Sequence, residues 1–212
     1  MKTRNVSTLL TLAIIGLALA WNAPLDAQDL KGREVLGLRI GGLITSGSFN
    51  DEFGNGSEIE LHFAYGITEW LGLEFALSSH NFGESLDEGK NLVFFDRTDV
   101  NLQMFSVGIG MIAYRHVTGR VTSTFEGGPA LYSVNAILPQ GFYDLQKTDN
   151  HAGLYGGVGV LVKVANSVSL NLNGKYHAVF VGSASDDTFH FYTGENTARF
   201  FQIAVGIVLM TG

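Results

Sequence analysis

The chain has no cysteine among its 212 residues, so neither a disulfide nor a cysteine-linked lipid anchor can hold it. Lys and Arg number 13 against 20 Asp and Glu, which removes the basic face that nucleic acid requires. Proline occurs only three times, leaving long stretches free to pair as strands. Long apolar runs are also missing after residue 20, because Gly, Asn, Glu or Lys interrupts each of them. A helix crossing a bilayer needs about 20 apolar residues, so any membrane span in this chain has to be built from strands.

An uncharged run, Val6 to Ala20 (VSTLLTLAIIGLALA), follows Lys2 and Arg4 and ends in small residues. This is the layout of a secretory signal peptide, expected to occupy residues 1–27 with Ala20 as the alternative cleavage point. Cleavage after Ala27 removes Lys2, Arg4 and Asp26, leaving 11 basic and 19 acidic residues in a mature domain spanning 28–212.

Within that domain the dominant signal has a period of two. Ile59, Leu61, Phe63, Tyr65 and Ile67 alternate with Glu58, Glu60, His62, Ala64 and Gly66. After Thr68, Glu69 and Trp70 the alternation resumes with Leu71, Leu73, Phe75 and Leu77, which predicts a hairpin. Similar segments start near residues 34, 100, 120, 151, 168 and 198, giving eight strands. A bulge is expected near Met104 or Phe105, where the apolar parity changes, and a bend or bulge at Gly127-Gly128-Pro129. Connections alternate long and short, with long ones expected at about 46–55, 81–99, 135–150 and 182–197. In an antiparallel barrel this puts all long loops at one rim, and the tight turns with both termini at the other.

Alternation alone does not say which face points inward. The polar face holds Gly, Ser, Thr, Asn and Ala with a few charges of both signs, which suits the narrow interior of an eight-stranded barrel. The expected fold is therefore all-β: an eight-stranded antiparallel up-and-down transmembrane barrel preceded by a cleaved signal peptide. Arg39, Glu58, Glu60, His62, Glu74, Arg120, Glu126, Lys163, Lys175 and His177 share the polar parity and are expected to form a lumen network. Tyr65, Trp70, Tyr114 and Tyr176, with Phe180, are expected at the bilayer interfaces.

In the hairpin Tyr65-Gly66-Ile67-Thr68-Glu69-Trp70-Leu71-Gly72-Leu73-Glu74, the Gly-rich Val107-Gly108-Ile109-Gly110 and the closing Phe201-Gln202-Ile203-Ala204-Val205-Gly206-Ile207, the chain resembles the small outer-membrane β-barrel families. These are the families of the OmpA transmembrane domain, OmpW, OmpX and the opacity-type adhesins. The resemblance implies a Gram-negative outer membrane, contact with its lipid and lipopolysaccharide, and insertion by the barrel-assembly machinery. One departure is the C-terminal Leu209-Met210-Thr211-Gly212, where such barrels end on an aromatic.

No catalytic, cofactor-binding or metal site is expected. The histidines show no HExxH and no zinc-type spacing, and Gly108-Ile109-Gly110 has no helix after it to complete a phosphate cradle. A lipid A-modifying enzyme is a separate reading, with His177 beside Ser183, Ser185 and Glu195, but the nucleophile position two residues after His177 is Val179. Loop acids Asp51, Glu52, Glu84, Asp87, Glu88, Asp186 and Asp187 are read as solvated, with divalent-ion binding as the competing possibility. Phe142, Tyr143, Phe189, Phe191 and Tyr192 are candidates for an adhesive surface. The expected role is structural or surface-interacting with a plugged lumen. A narrow channel for small or hydrophobic solutes and a soluble lipocalin-like carrier compete with it.

Overall fold

Eight segments that each carry one apolar and one polar face satisfy every backbone group by pairing in series and closing on themselves. The computed structural model describes residues 30–47, 49, 53–84, 101–140, 143–181 and 197–211. Its strands are β1 (Glu34–Ser46), β2 (Phe53–Gly66), β3 (Leu71–Glu84), β4 (Asn101–Thr118), β5 (Val121–Gln140), β6 (Tyr143–Lys163), β7 (Val168–Phe180) and β8 (Thr197–Thr211). Each strand pairs antiparallel with its neighbour in sequence, and β1 pairs with β8 from Glu34↔Thr211 to Ser46↔Arg199. The sheet is closed and leaves no edge along the body of the barrel.

The tight turns 67–70, 119–120 and 164–167 share one rim with the start of β1 and the end of β8. In the first of them Thr68 Oγ1 accepts the Leu71 backbone N–H at 3.0 Å, a local bond that closes the turn. The third long loop is corrected by the structure. β5 and β6 stay paired to Gln140↔Tyr143, nine residues of β6 beyond the last β7 partner at Ala152↔Phe180. Pro139, Asn135 and several charges hid this extension, since a ribbon standing outside a bilayer needs no apolar face and so carries no alternation.

The expected bulge near Met104 is absent: the register runs evenly from Phe82↔Leu102 to Leu71↔Ala113. Leu102 and Met104 point into the barrel, so an apolar lumen layer produced the change of parity. At Gly127-Gly128-Pro129 the β4 pairing lapses between Gly108↔Ala130 and Met111↔Gly127 without any register shift, because Pro129 has no N–H to give. Pairing to β6 continues through Pro129↔Leu154.

The two faces separate cleanly. Leu38, Ile40, Ile59, Leu73, Ile109, Leu154, Leu172 and Val205 are each at least 50 % exposed and face outward, while Arg39, Glu60, Glu74, Lys175 and Gln202 are at most 1 % exposed inside. So wide an apolar belt is stable against hydrocarbon and not against water. A soluble carrier needs the opposite arrangement, with an apolar cavity within, and that reading is overturned.

The lumen is filled in layers. Leu43, Phe49, Phe53, Phe82, Leu102, Met104, Val179 and Phe200 belong to an apolar cluster toward the long-loop rim. Leu30, Val35, Ala64, Ile112, Tyr114, Leu161 and Val208 form a smaller one toward the tight turns. Charged groups lie between them. The signal segment 1–27 and the loop residues Asp51, Glu52, Asp87, Glu88, Phe142, Ser183, Ser185, Asp186, Asp187, Phe189, Phe191, Tyr192 and Glu195 lie outside the described residues, as does the Tyr143 side chain.

Candidate functional site

The charged middle layer is assembled from four strands. Arg39 of β1 sits beside Glu60 of β2 in the register, which puts a guanidinium and a carboxylate side by side on the inner face. Its Nη1 donates to Glu60 Oε1 at 2.7 Å and to Glu126 Oε1 at 2.8 Å, and Nη2 donates to Glu126 Oε2 at 3.0 Å. Lys175 Nζ lies 2.7 Å from Glu60 Oε2 and 2.9 Å from Glu126 Oε1. Two cations thus bridge the same two carboxylates, and the four charges balance across the full width of the barrel. Such a knot is stable only while complete, because removing one member strands a buried charge.

Neutral side chains complete its coordination. Ser78 Oγ donates to Glu60 at 3.1 Å and Asn173 Nδ2 to Glu126 at 3.3 Å. Tyr155 Oη donates to Glu74 Oε2 at 3.1 Å, and its ring lies 4.9 Å from Lys175 Nζ. That ring crosses the space above Gly108 and Gly110 of β4, where any Cβ would collide with it. The two glycines that formally suit a phosphate cradle are there to admit a tyrosine.

A second cluster stands on the long-loop side of the knot. His177 Nδ1 is 2.9 Å from Tyr132 Oη and its Nε2 is 2.9 Å from Gln202 Oε1. Its ring stacks on Phe200 with centroids 4.6 Å apart and planes 8° from parallel. His80 Nδ1 lies 3.2 Å from Glu58 Oε2, and its Nε2 is 3.2 Å from Ser106 Oγ. Phe49, contributed by the segment between β1 and β2, covers this layer with ring centroids 5.2 Å from Phe53 and 5.1 Å from Phe82. A small recess of about 10 Å³, room for a single water, lies between the histidine layer and the knot, bordered by Ser78, Ser106, Tyr132, Tyr155, Lys175 and His177 among others.

The geometry brings together Arg39, Glu60, Glu126 and Lys175, with Glu74 joined through Tyr155, Glu58 through His80, and His177 in the layer beside them. His62 is buried opposite Gly37. Arg120 and Lys163 are corrections: Arg120 is exposed in the 119–120 turn and Lys163 is half-buried at the end of β6, both too near the rim to reach the knot. Tyr65, Trp70, Tyr176 and Phe180 face outward, but Tyr114 is 6 % exposed and packs inside the small apolar cluster, so it is no interfacial anchor.

Ser78, His80, Tyr132, Tyr155, Asn173 and Gln202 were not singled out as participants. All have lumen parity: Ser78, Asn173 and Gln202 stand on the polar face of strands read from the sequence, Tyr155 lies within the sixth of them, and His80 and Tyr132 enter once β3 is extended to Glu84 and β5 is carried past Pro129. Among the described residues no group of His, Asp and Glu is arranged to hold a metal ion.

No family model and no curated protein matches the chain. Solved structures do. Neisserial surface protein A superposes over 84% of this chain and 97% of its own at a TM-score of 0.54 and 18% identity. The small outer-membrane barrel is its fold. The outer membrane protein OprG of Pseudomonas aeruginosa matches over 89% of this chain and 99% of its own at 0.52 and 11%. Ail, the attachment invasion locus protein of Yersinia pestis, solved with the heparin analogue sucrose octasulfate, matches over 85% and 99% at 0.51 and 11%. Among the described residues of this small outer-membrane barrel, the β5–β6 ribbon extends past the last β7 partner at the long-loop rim.

Proposed function

We propose that the chain is an integral barrel of a Gram-negative outer membrane, with a structural or surface-interaction role and a lumen that does not conduct. The observation that carries this is the knot of Arg39, Lys175, Glu60 and Glu126, whose side chains are at most 1 % exposed, overlain by the Phe49, Phe82 and Phe200 layer. Ions would have to displace both layers to pass. Lipid and lipopolysaccharide are the partners its outer face fits, and the barrel-assembly machinery would insert it. The ribbon projecting at the long-loop rim supplies surface for an external contact.

A non-enzymatic role agrees with the setting of His177, whose two ring nitrogens already meet Tyr132 and Gln202. The test is reconstitution of the folded chain in planar bilayers, with unboiled and boiled samples compared by gel mobility. A heat-dependent mobility shift without conductance steps is the expected result. Steady unit conductance would replace this reading with that of a narrow channel, and altered lipid A in expressing cells would replace it with an enzyme.

A further inference from the structure

The recess between the histidine layer and the charged knot takes about 10 Å³, which is what one water needs. Glu60, Ser106, Tyr132 and Lys175 stand in its polar wall, and Ala76 and Ala130 supply apolar wall. All six are buried, so the recess is cut off from bulk solvent.

The hydrogen bonds around it leave a definite set of free donors and acceptors. Lys175 Nζ has three N–H bonds and points two of them at carboxylates, Glu60 at 2.7 Å and Glu126 at 2.9 Å, so one donor remains. His177 hydrogen-bonds only uncharged groups, with Nε2 2.9 Å from Gln202 Oε1 and Nδ1 2.9 Å from Tyr132 Oη. An amide oxygen only accepts, which puts the imidazole proton on Nε2 and makes Nδ1 the acceptor. Tyr132 therefore donates its O–H to His177 and keeps lone pairs on its oxygen. His80 is held the other way round. Its Nδ1 faces the Glu58 carboxylate at 3.2 Å and carries the proton, so Nε2 accepts the Ser106 O–H at 3.2 Å and the serine oxygen also keeps lone pairs.

One donor and two acceptors thus border a space the size of one water. Water answers both kinds of group, because its oxygen accepts while its hydrogens donate. A cation is disfavoured there by the Lys175 charge, and an anion by the Glu60 carboxylate.

We propose that this recess is the binding site of one ordered water, which accepts from Lys175 Nζ and donates to Tyr132 Oη and Ser106 Oγ. By direct bonds alone, Glu58, His80 and Ser106 form one group, and Tyr132, His177 and Gln202 a second. Arg39, Lys175, Glu60 and Glu126 form a third. The water joins all three into a single network, so that a change of tautomer at either histidine is felt at Lys175. The site depends on the closed barrel and not on what the long-loop rim contacts.

The experiment uses the folded full chain in micelles with isotope-labelled alanine methyls and histidine rings. Nuclear Overhauser transfer from the water resonance should reach the Ala76 and Ala130 methyls with the sign of a long-lived bound water. Ala76→Val puts a bulkier side chain into the wall and should abolish the transfer at Ala130. Transfer persisting at Ala130 in that variant would come from the Tyr132 and Ser106 hydroxyls, which remain, and would overturn the proposal. Absence of transfer in the unaltered protein would do the same. The heat-dependent mobility shift is the folding control, and if Ala76→Val fails it, Ala130→Val read at Ala76 takes its place. Nitrogen shifts of the imidazoles decide independently. His177 protonated on Nε2 and His80 on Nδ1 are expected, whereas the opposite tautomer or a doubly protonated ring at either position removes an acceptor and refutes the site.

Discussion

Arg39 of β1 and Glu126 of β5, 87 positions apart in the chain and on opposite walls of the barrel, meet through two parallel hydrogen bonds of 2.8 and 3.0 Å. Arg39→Met leaves Glu60 and Glu126 sharing the one ammonium of Lys175. The expected loss is about 3–5 kcal/mol, as for any broken buried ion pair. Replacing both partners, with Arg39→Met and Glu126→Leu, leaves the balanced Lys175–Glu60 contact of 2.7 Å and should cost less than the single change. Urea titration of the folded, fast-migrating gel species measures both. A double variant weaker than the single one would mean the knot is not a charge-balanced unit.

Phe200 stacks on His177 and touches Phe82 edge-on, with centroids 5.2 Å apart. Truncation to Ala in so closely packed a layer is expected to cost about 3–5 kcal/mol. Conductance in planar bilayers should stay at background, because the ionic knot still blocks the lumen beneath it. An open pore in Phe200→Ala would show that the aromatic layer alone seals the barrel.

Much of this fold was legible because a strand with two unlike faces writes its orientation into the sequence. Alternation from Glu58 to Ile67 located the first hairpin, and the small or charged character of Gly37, Arg39, Glu60 and Glu74 marked the face that turned out to line the lumen. Legibility failed where the environment stopped being two-sided. Leu102 and Met104 are apolar and face inward, Tyr114 is aromatic and faces inward, and the β5–β6 ribbon past Ala152 stands clear of β7. Parity cannot give depth, which is why Arg120 and Lys163 were grouped with groups near the barrel centre. Pairings such as Arg39 with Glu126 depend on closure between strands distant in the chain, which no local pattern encodes.

Outward position and depth are testable together. Val205 is 55 % exposed in the body of β8, whereas Val164 is 57 % exposed at the 164–167 turn. For a barrel in lipid, Val205→Arg should cost about 2–4 kcal/mol and Val164→Arg about 0–1, since the penalty follows depth. Equal and negligible effects, the usual result on a water-facing surface, would remove the apolar belt from the membrane. Refolding titrations into vesicles give both values.

A chain prepared from residue 28 onward lacks Trp21 and has Trp70 as its single tryptophan. Trp70 is 52 % exposed in the turn between β2 and β3, and its carbonyl accepts the Tyr114 N–H at 2.8 Å, which fixes the turn against the end of β4. An indole at this rim should sit among the headgroups, where its apolar ring and its N–H are both accommodated. Nitroxide quenchers attached near the headgroup should then reduce its emission more than quenchers at the ends of the acyl chains. The opposite order would put the tight-turn rim deep in hydrocarbon. Lys163 and Arg120 would then be buried at a cost of several kcal/mol, and the interfacial role of Trp70 would not survive.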